Sequence, residues 1–306
     1  MNFNLSSLEL HIISLLEPSL SISKLAERTG VTKGYISRTV ASLKDKGFVE
    51  VSKNGITKKV SLSGSLHASR LKSLLHGRSY MPLEELLQGS GIRILAVLIS
   101  GSADFARLQE ESGVSRPTLW RWIRKFRELA MLVSRNNEYE LPPDLKDIRE
   151  FLENYCSYFA VSTLREISPG ASFIASKGFE FLFSLEGEIV HENVKTTGLT
   201  SISEEIPLML SEYYYFYSSR TLTREEIAAH AIAADPHGRR NLTYVILYVV
   251  KTGLDKALFL RIAKRYRVED TAVSILKLLN TWERPDEPYM PDPAYVREEL
   301  KEYKIQ

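Results

Sequence analysis

The sequence predicts a mainly α protein with small β-hairpins, in which two copies of a three-helix-and-hairpin unit precede a mostly helical α+β C-terminal region. Three observations carry this expectation. The 25 residues LAERTGVTKGYISRTVASLKDKGFV from Leu25 lie without a gap over LQEESGVSRPTLWRWIRKFRELAML from Leu108, at a constant offset of 83. Within each copy the apolar residues recur at helical spacing between glycine stops. From Glu204 onward, apolar stretches of helix length alternate with Pro- and Gly-containing breaks.

Composition sets the frame. The chain has 306 residues, 44% hydrophobic and 25% charged, which fits a folded protein of two or three domains. Apolar runs such as Ile94–Ile99 and Val245–Val250 are far shorter than the ~20 residues of a membrane span, and the N-terminus lacks a signal-peptide pattern, so a cytoplasmic, nucleoid-associated protein is expected. A single cysteine, Cys156, excludes an intramolecular disulfide, and six scattered His leave no zinc-type cluster; neither metal nor cofactor is expected. Cys156, among Tyr155, Tyr158 and Phe159, reads as a small buried apolar residue. The net charge of +2 hides an asymmetry. Residues 1–140 hold 20 Lys/Arg against 13 Asp/Glu (+7), and residues 141–306 hold 20 against 25 (−5). A basic front half points to a polyanion-binding unit joined to a second unit with another task.

The first copy opens with an apolar helix over Leu5–Leu16 and the second with one over Leu83–Ile99. Each is followed by a short helix that stops at Gly30 or Gly113, where glycine takes a left-handed conformation cheaply. Thr32 or Ser115 then supplies the N-cap of a third helix. In that helix Ile36, Val40 and Leu43, or Leu119, Ile123 and Phe126, fall at i, i+4, i+7 on one stripe. Phe48–Val51, a turn at Asn54-Gly55 and Lys58–Leu62 read as a hairpin, because Asn-Gly accepts the positive φ angles of tight turns. The second copy has the shorter analogue Met131–Ser134, Arg135-Asn136-Asn137, Tyr139–Leu141.

Helix, helix, helix, hairpin is the order of a winged helix-turn-helix. Through SISKLAERTGVTKGYISRTVASLKDKGFVEVSKNGITKKVSLS, Ser21 to Ser63, the sequence resembles the MarR-like winged-helix DNA-binding proteins. The likeness extends more loosely to Leu83–Leu141, where Pro117 replaces Gly34 and the hairpin is short. It implies a recognition helix for the major groove of double-stranded DNA and a wing on the phosphates. The expected organisation is a first winged-helix domain at 1–65, a linker at 66–82, a second winged-helix domain at 83–142, and a C-terminal domain at 143–306 that dimerises, senses or docks a partner protein.

A helical wheel separates core from contact residues in the third helices. In the second copy Leu119, Trp122, Ile123, Phe126 and Ala130 face inward, while Pro117, Arg121, Arg124, Lys125 and Glu128 face outward. In the first, Ile36, Val40, Leu43 and Gly47 face inward, with Tyr35, Arg38, Ala41 and Ser42 outward. Arg38 and Arg121 share one outward position, where an arginine can grip guanine O6 and N7. Lys33, Arg116, Lys53, Lys58, Lys59 and Arg135 sit at helix starts or wings, where phosphate contacts position a module without specifying sequence. Tyr35, Ser42 and Thr118 complete the candidate set. The alternative is a protein-interaction or antitoxin-type component whose winged helices dock a protein. Trp120, on the flank, is expected either against its own wing or on a sugar. A membrane-lying role for the basic aromatic stretch Ser115–Leu129 fails, because its apolar stripe already has a core to fill.

Gly101-Ser102-Ala103-Asp104 is similar to the Gly-Ser start of nucleotidyltransferase sites, but a helix rather than a strand precedes it and no metal-binding carboxylate pair follows; it reads as a turn and N-cap. Beyond Pro142-Pro143, Leu145–Phe159 reads as a linking or dimerising helix, and Phe173–Ala175, Phe179–Leu185 and Ile189-Val190 as a small β element. Helices are expected over Ile206–Tyr217, Arg224–Ala234, Leu242–Lys251, Lys256–Tyr266 and Glu269–Leu279. A proline-rich tail from Pro285 follows, with a short charged helix near Tyr295–Tyr303. Leu260–Val268 looks like a third copy, yet the next helix starts with Glu269-Asp270, which would repel phosphates. The run Tyr213–Tyr217 reads as an aromatic helix at an interface, or as the lining of a ligand pocket. Asp235, His237, Arg239 and Arg240 fall in a solvated turn without a nucleophile at defined spacing, so no enzyme is expected. Ser172–Ile189 and Leu222–Asp235 faintly resemble AbiEi-type antitoxin regulators, which would imply a toxin partner of nucleotidyltransferase type. The whole reads as a bacterial or archaeal transcription regulator.

Overall fold

The computed structural model describes residues 2–54, 57–283 and 286–305, with Asn54 as backbone only. The turn expected at Asn54-Gly55 and the start of the tail at Pro285 therefore fall outside the described residues. The chain divides into two compact units, one of residues 1–163 with 177–179 and one of residues 164–176 with 180–306.

The first unit begins with α1 (Ser7–Leu15), opened by a capping box: the Ser6 hydroxyl accepts from Glu9 N, and the Glu9 carboxylate accepts from Ser6 N at 2.7 Å. Strand β1 (Ser19–Ser21) leads into α2 (Ile22–Thr29), which ends at Gly30 with φ 69°. The Thr32 hydroxyl then accepts from Tyr35 N and starts α3 (Lys33–Asp45). Strands β2 (Val49–Asn54) and β3 (Thr57–Leu62) form the wing, and β1 pairs with the outer edge of β3, giving the order β1-β3-β2. Leu10, Ile13, Leu25, Ile36, Val40, Leu43, Phe48 and Val60 fill the space between helices and sheet.

Residues 66–77, expected within a linker, form a packed helix α4 (Leu66–Gly77). Ala68, Leu71 and Leu74 make an apolar stripe that buries against α1. Lys72 Nζ donates to the carbonyls of Ser14 (3.0 Å) and Leu16 (2.8 Å), groups left without helical partners at the end of α1. The single helix expected over Leu83–Ile99 is two, α5 (Leu83–Leu86) and α6 (Ser90–Leu98). Gly89 breaks it with φ 51° and ψ −120°, a conformation closed to other residues, and its N–H donates to Leu5 O at 2.8 Å.

The second copy repeats the helix bounds of the first. Helices α6, α7 (Phe105–Ser112) and α8 (Arg116–Glu128) have the bounds of α1, α2 and α3 displaced by 83 residues. Gly113, at φ 61°, repeats Gly30. Strands β4 (Val133–Arg135) and β5 (Glu138–Glu140) make a hairpin turned by Asn136 and Asn137 at φ 51° and 64°. The third strand shrinks to one bridge, Ala103 with Tyr139, where the first copy pairs Leu20 with Val60. Asp104 accepts from Arg107 N at 2.8 Å to cap α7, so Gly101–Asp104 is the expected turn and cap. Ala130, expected inside, is exposed at φ 52°. It stands 83 residues after Gly47, whose φ is 73° and which lies so close to the Tyr158 ring that no Cβ fits.

After a 3-10 turn (Pro143–Leu145) comes α9 (Lys146–Ile167). The stripe expected to link or dimerise instead fills this unit's own core. Ile148, Phe151, Leu152, Tyr155 and Phe159 are buried, and Tyr155 stacks on Phe3 at 4.8 Å and donates its hydroxyl to Phe3 O at 2.8 Å. Cys156 is buried here too, and burial pushes its thiol upward, away from thiolate formation.

The second unit carries a four-stranded sheet of β6 (Ser172–Lys177), β7 (Glu180–Leu185), β8 (Val194–Thr196) and β9 (Tyr213–Tyr217) in the order β6-β7-β9-β8. Its helices are α10 (Gly198–Glu205), α11 (Arg224–Ala234), α12 (Arg239–Thr252), α13 (Lys256–Arg265), α14 (Glu269–Thr281) and α15 (Pro293–Glu302). The helix expected over Ile206–Tyr217 is not formed. Residues 206–212 are irregular, and Tyr213–Tyr217 is the inner strand β9 rather than an interface helix. Strand pairing explains the aromatic run: Tyr217 sits opposite Phe181 with rings 4.8 Å apart, Tyr215 opposite Phe183 at 5.6 Å, and Phe216 turns to the other face. Ile189-Val190 is not a strand; the edge is supplied by β8 instead.

Candidate nucleic-acid interface

The exposed side of α3 carries Lys33, Tyr35 and Arg38, with Tyr35 49% exposed and the Arg38 guanidinium 5.6 Å from its ring. The ring holds the guanidinium without neutralising it. On the wing, Lys53 pairs directly across the strands with Lys58, and Ser52 with Lys59. Like charges at opposed positions repel, so this hairpin is electrostatically prepared for an anion. Among the described residues no carboxylate lies within ion-pair distance of Lys33, Arg38, Lys53, Lys58 or Lys59.

Ser42 does not belong to this face. Its hydroxyl donates to Glu9 Oε1 at 2.7 Å, joining a buried network in which Lys46 Nζ donates to the same oxygen at 2.6 Å and to Asn4 O at 2.7 Å. Side-chain exposures of 5% and 4% mark Lys46 and Glu9 as an interior pair. The helical wheel leaves Ser42 at the edge of the exposed arc, and the carboxylate on α1 that claims it is visible only in three dimensions.

In α8, Arg116 and Arg121 are exposed, as Arg38 is in α3. Other candidates of this copy are held by its own acids. Lys125, half-buried and expected outward, donates to Glu85 Oε2 at 2.7 Å, and that hydrogen bond holds the Glu85 carboxyl below its usual range. Arg124 lies 3.9 Å from Glu128 and Arg135 3.4 Å from Glu140. Thr118, half-buried, accepts from the Ser115 hydroxyl at 3.0 Å, so Ser115 occupies the N-cap position without its side chain capping the backbone. Trp122 packs on Phe126 at 5.3 Å, as a core-side residue should. Trp120 stands on the outward side of α8. It is 50% exposed and leans on Phe105 of α7, rings 4.7 Å apart, with the Arg116 guanidinium 5.7 Å from Phe105.

Several titratable groups of the second unit are tied into its own framework. In the second unit Arg220 bridges Glu180 (Nε to Oε1, 3.1 Å) and Glu226 (Nη1 to Oε2, 2.7 Å), and Glu226 also closes the capping box of α11 with Thr223. His230 lies between the Thr197 hydroxyl and the Tyr266 hydroxyl, each 2.8 Å away, and burial lowers it to about 3, so it stays neutral. Asp235 ends α11, Arg239 donates to Pro288 O at 2.7 Å and His237 rests on Tyr289, a turn tied into its own unit. Among the described residues no group of three or more His, Cys, Asp or Glu is placed to hold a metal ion, and no helix is long and apolar enough to cross a membrane.

No curated protein matches the chain. A model described as the MarR family matches residues 10–55, which run from within α1 through the α2–α3 pair to the end of β2. The match thus falls on the first module, where the unneutralised cations are, and supports a DNA-binding winged helix there.

Proposed function

We propose that the chain is a sequence-specific double-stranded DNA-binding transcription regulator that acts without catalysis. The observation that carries this reading is the set of five exposed cations on α3 and the wing, Lys33, Arg38, Lys53, Lys58 and Lys59, which face no carboxylate within ion-pair distance among the described residues. Helix α3 enters the major groove, with Arg38 on a base edge and Tyr35 beside it, while the wing lysines lie on the flanking phosphates. The second copy, with Arg116 and Arg121, makes a further DNA contact in tandem; its congruent helix bounds support that part of the reading. The second unit dimerises or docks a partner.

Selection of bound duplexes from a random pool tests the proposal. A reproducible consensus is expected, and Arg38→Ala relaxes it at one base pair, at about 1–3 kcal/mol of lost discrimination. A pool that emerges unenriched, or a consensus that Arg38→Ala leaves intact, refutes sequence-specific reading by α3.

A further inference from the structure

The two third helices share their bounds, displaced by 83 residues, but not their profile. On the outward arc of α3 stand Gly34, Ser37 and Ala41, small residues that let a helix approach a groove wall closely. The residues 83 positions on, in α8, are Pro117, Trp120 and Arg124. An indole thus projects from the second helix where the first presents a hydroxymethyl group. It is half exposed and rests on Phe105, with ring centroids 4.7 Å apart. Arg116 lies one helical turn before it, Arg124 one turn after and Arg121 beside it, all exposed.

From this profile we infer that the second module does not read paired DNA as the first does, but uses Trp120 as a stacking platform for an unstacked nucleotide base, with Arg116 and Arg121 on the adjoining phosphates. The inference deepens the DNA-binding reading and rests on it. A braced aromatic face flanked by guanidinium groups is the chemistry that grips single strands, because every base offers a π face and every linkage a phosphate. Charge complementarity selects this occupant over a protein. Interface anchors on proteins sit in desolvated apolar pockets, whereas Trp120 has exposed arginines for outward neighbours. The consequence is a division of labour: α3 and the long wing hold duplex, while α8, with its short wing and partly neutralised cations, takes a locally opened strand beside it.

Anisotropy titrations of the full chain with a labelled duplex, and with the same duplex carrying a mismatched central tract, test this. Wild type is expected to bind the mismatched duplex more tightly. Trp120→Ala is expected to lose roughly five- to 150-fold on it, the range that one base–aromatic stack supplies, with little change on the paired duplex. Trp120→Phe keeps a ring and recovers most of the loss, and Arg38→Ala weakens both probes together. Equal binding of the two duplexes by wild type, or a Trp120→Ala loss that is absent or the same on both, overturns the platform while leaving the duplex-binding reading intact. Failure of wild type to bind either duplex overturns that reading and the platform with it.

Discussion

Acidification from pH 7 to pH 5 should destabilise each unit separately, through one buried histidine in each. In the first unit His67 is enclosed by Phe48, Tyr155 and Tyr158, and its Nε2 donates to Lys46 O at 3.0 Å; burial lowers it from 6.5 to about 4. In the second, His230 is lowered to about 3. Both folded values lie below the ordinary one, so the unfolded chain takes up protons first, and stability is lost as pH falls below about 6.5. At pH 5 both are still neutral in the folded protein, and the loss depends almost wholly on the unfolded value, at about 2 kcal/mol per histidine. Urea unfolding at the two pH values, followed by tryptophan fluorescence, separates the units, since Trp120 and Trp122 report on the first and Trp282 on the second. His67→Gln retains a donor for the Lys46 carbonyl but does not titrate. It should be less stable at pH 7 yet lose little more on acidification, while the second unit keeps its own loss. A His67→Gln protein whose first unit loses as much as wild type between pH 7 and 5 would refute the reasoning.

Three further outcomes are expected. Lys46→Leu leaves Glu9 buried without its cation and should cost about 3–5 kcal/mol, whereas adding Glu9→Ile, to give the residues that the second copy carries at Ile92 and Leu129, should recover most of it; chemical denaturation of the single and double variants decides. Ala130→Gly relieves a left-handed backbone and should stabilise the first unit by about 1 kcal/mol, read as a raised unfolding midpoint. Gly47→Ala meets both the same backbone penalty and the Tyr158 ring, and should lower that midpoint sharply.

The repeat was the most legible part of the sequence, because its signals are local. Glycine stops, cap residues and i, i+4, i+7 apolar spacing gave all three helices of each copy, apart from the division at Gly89, where a backbone angle and a bond to Leu5 O override an apolar run. Two misread segments share a different cause. The Tyr213–Tyr217 run has apolar bodies in every position, so neither a helical nor a strand period stands out; only pairing with Phe181 and Phe183 decides for the strand. The stripe of α9 is legible as apolar, but its partners Phe3 and Phe48 are far away in the chain. In the candidate interface, Arg38 and Arg121 lie exposed as the wheel places them, and Lys53, Lys58 and Lys59 lie exposed on the hairpin. Ser42 and Lys125 sit near the edge of that arc, where a carboxylate from another helix, Glu9 or Glu85, decides which way they turn.

The central claim is that the first module holds double-stranded DNA through unneutralised cations, and the salt dependence of duplex affinity tests it most directly. The slope of log affinity against log salt should be negative, and replacing Lys53, Lys58 and Lys59 with Ala should flatten it by about 1 for each phosphate contact removed. Duplex affinity that does not fall as salt rises, or a slope that the three replacements leave unchanged, would contradict it.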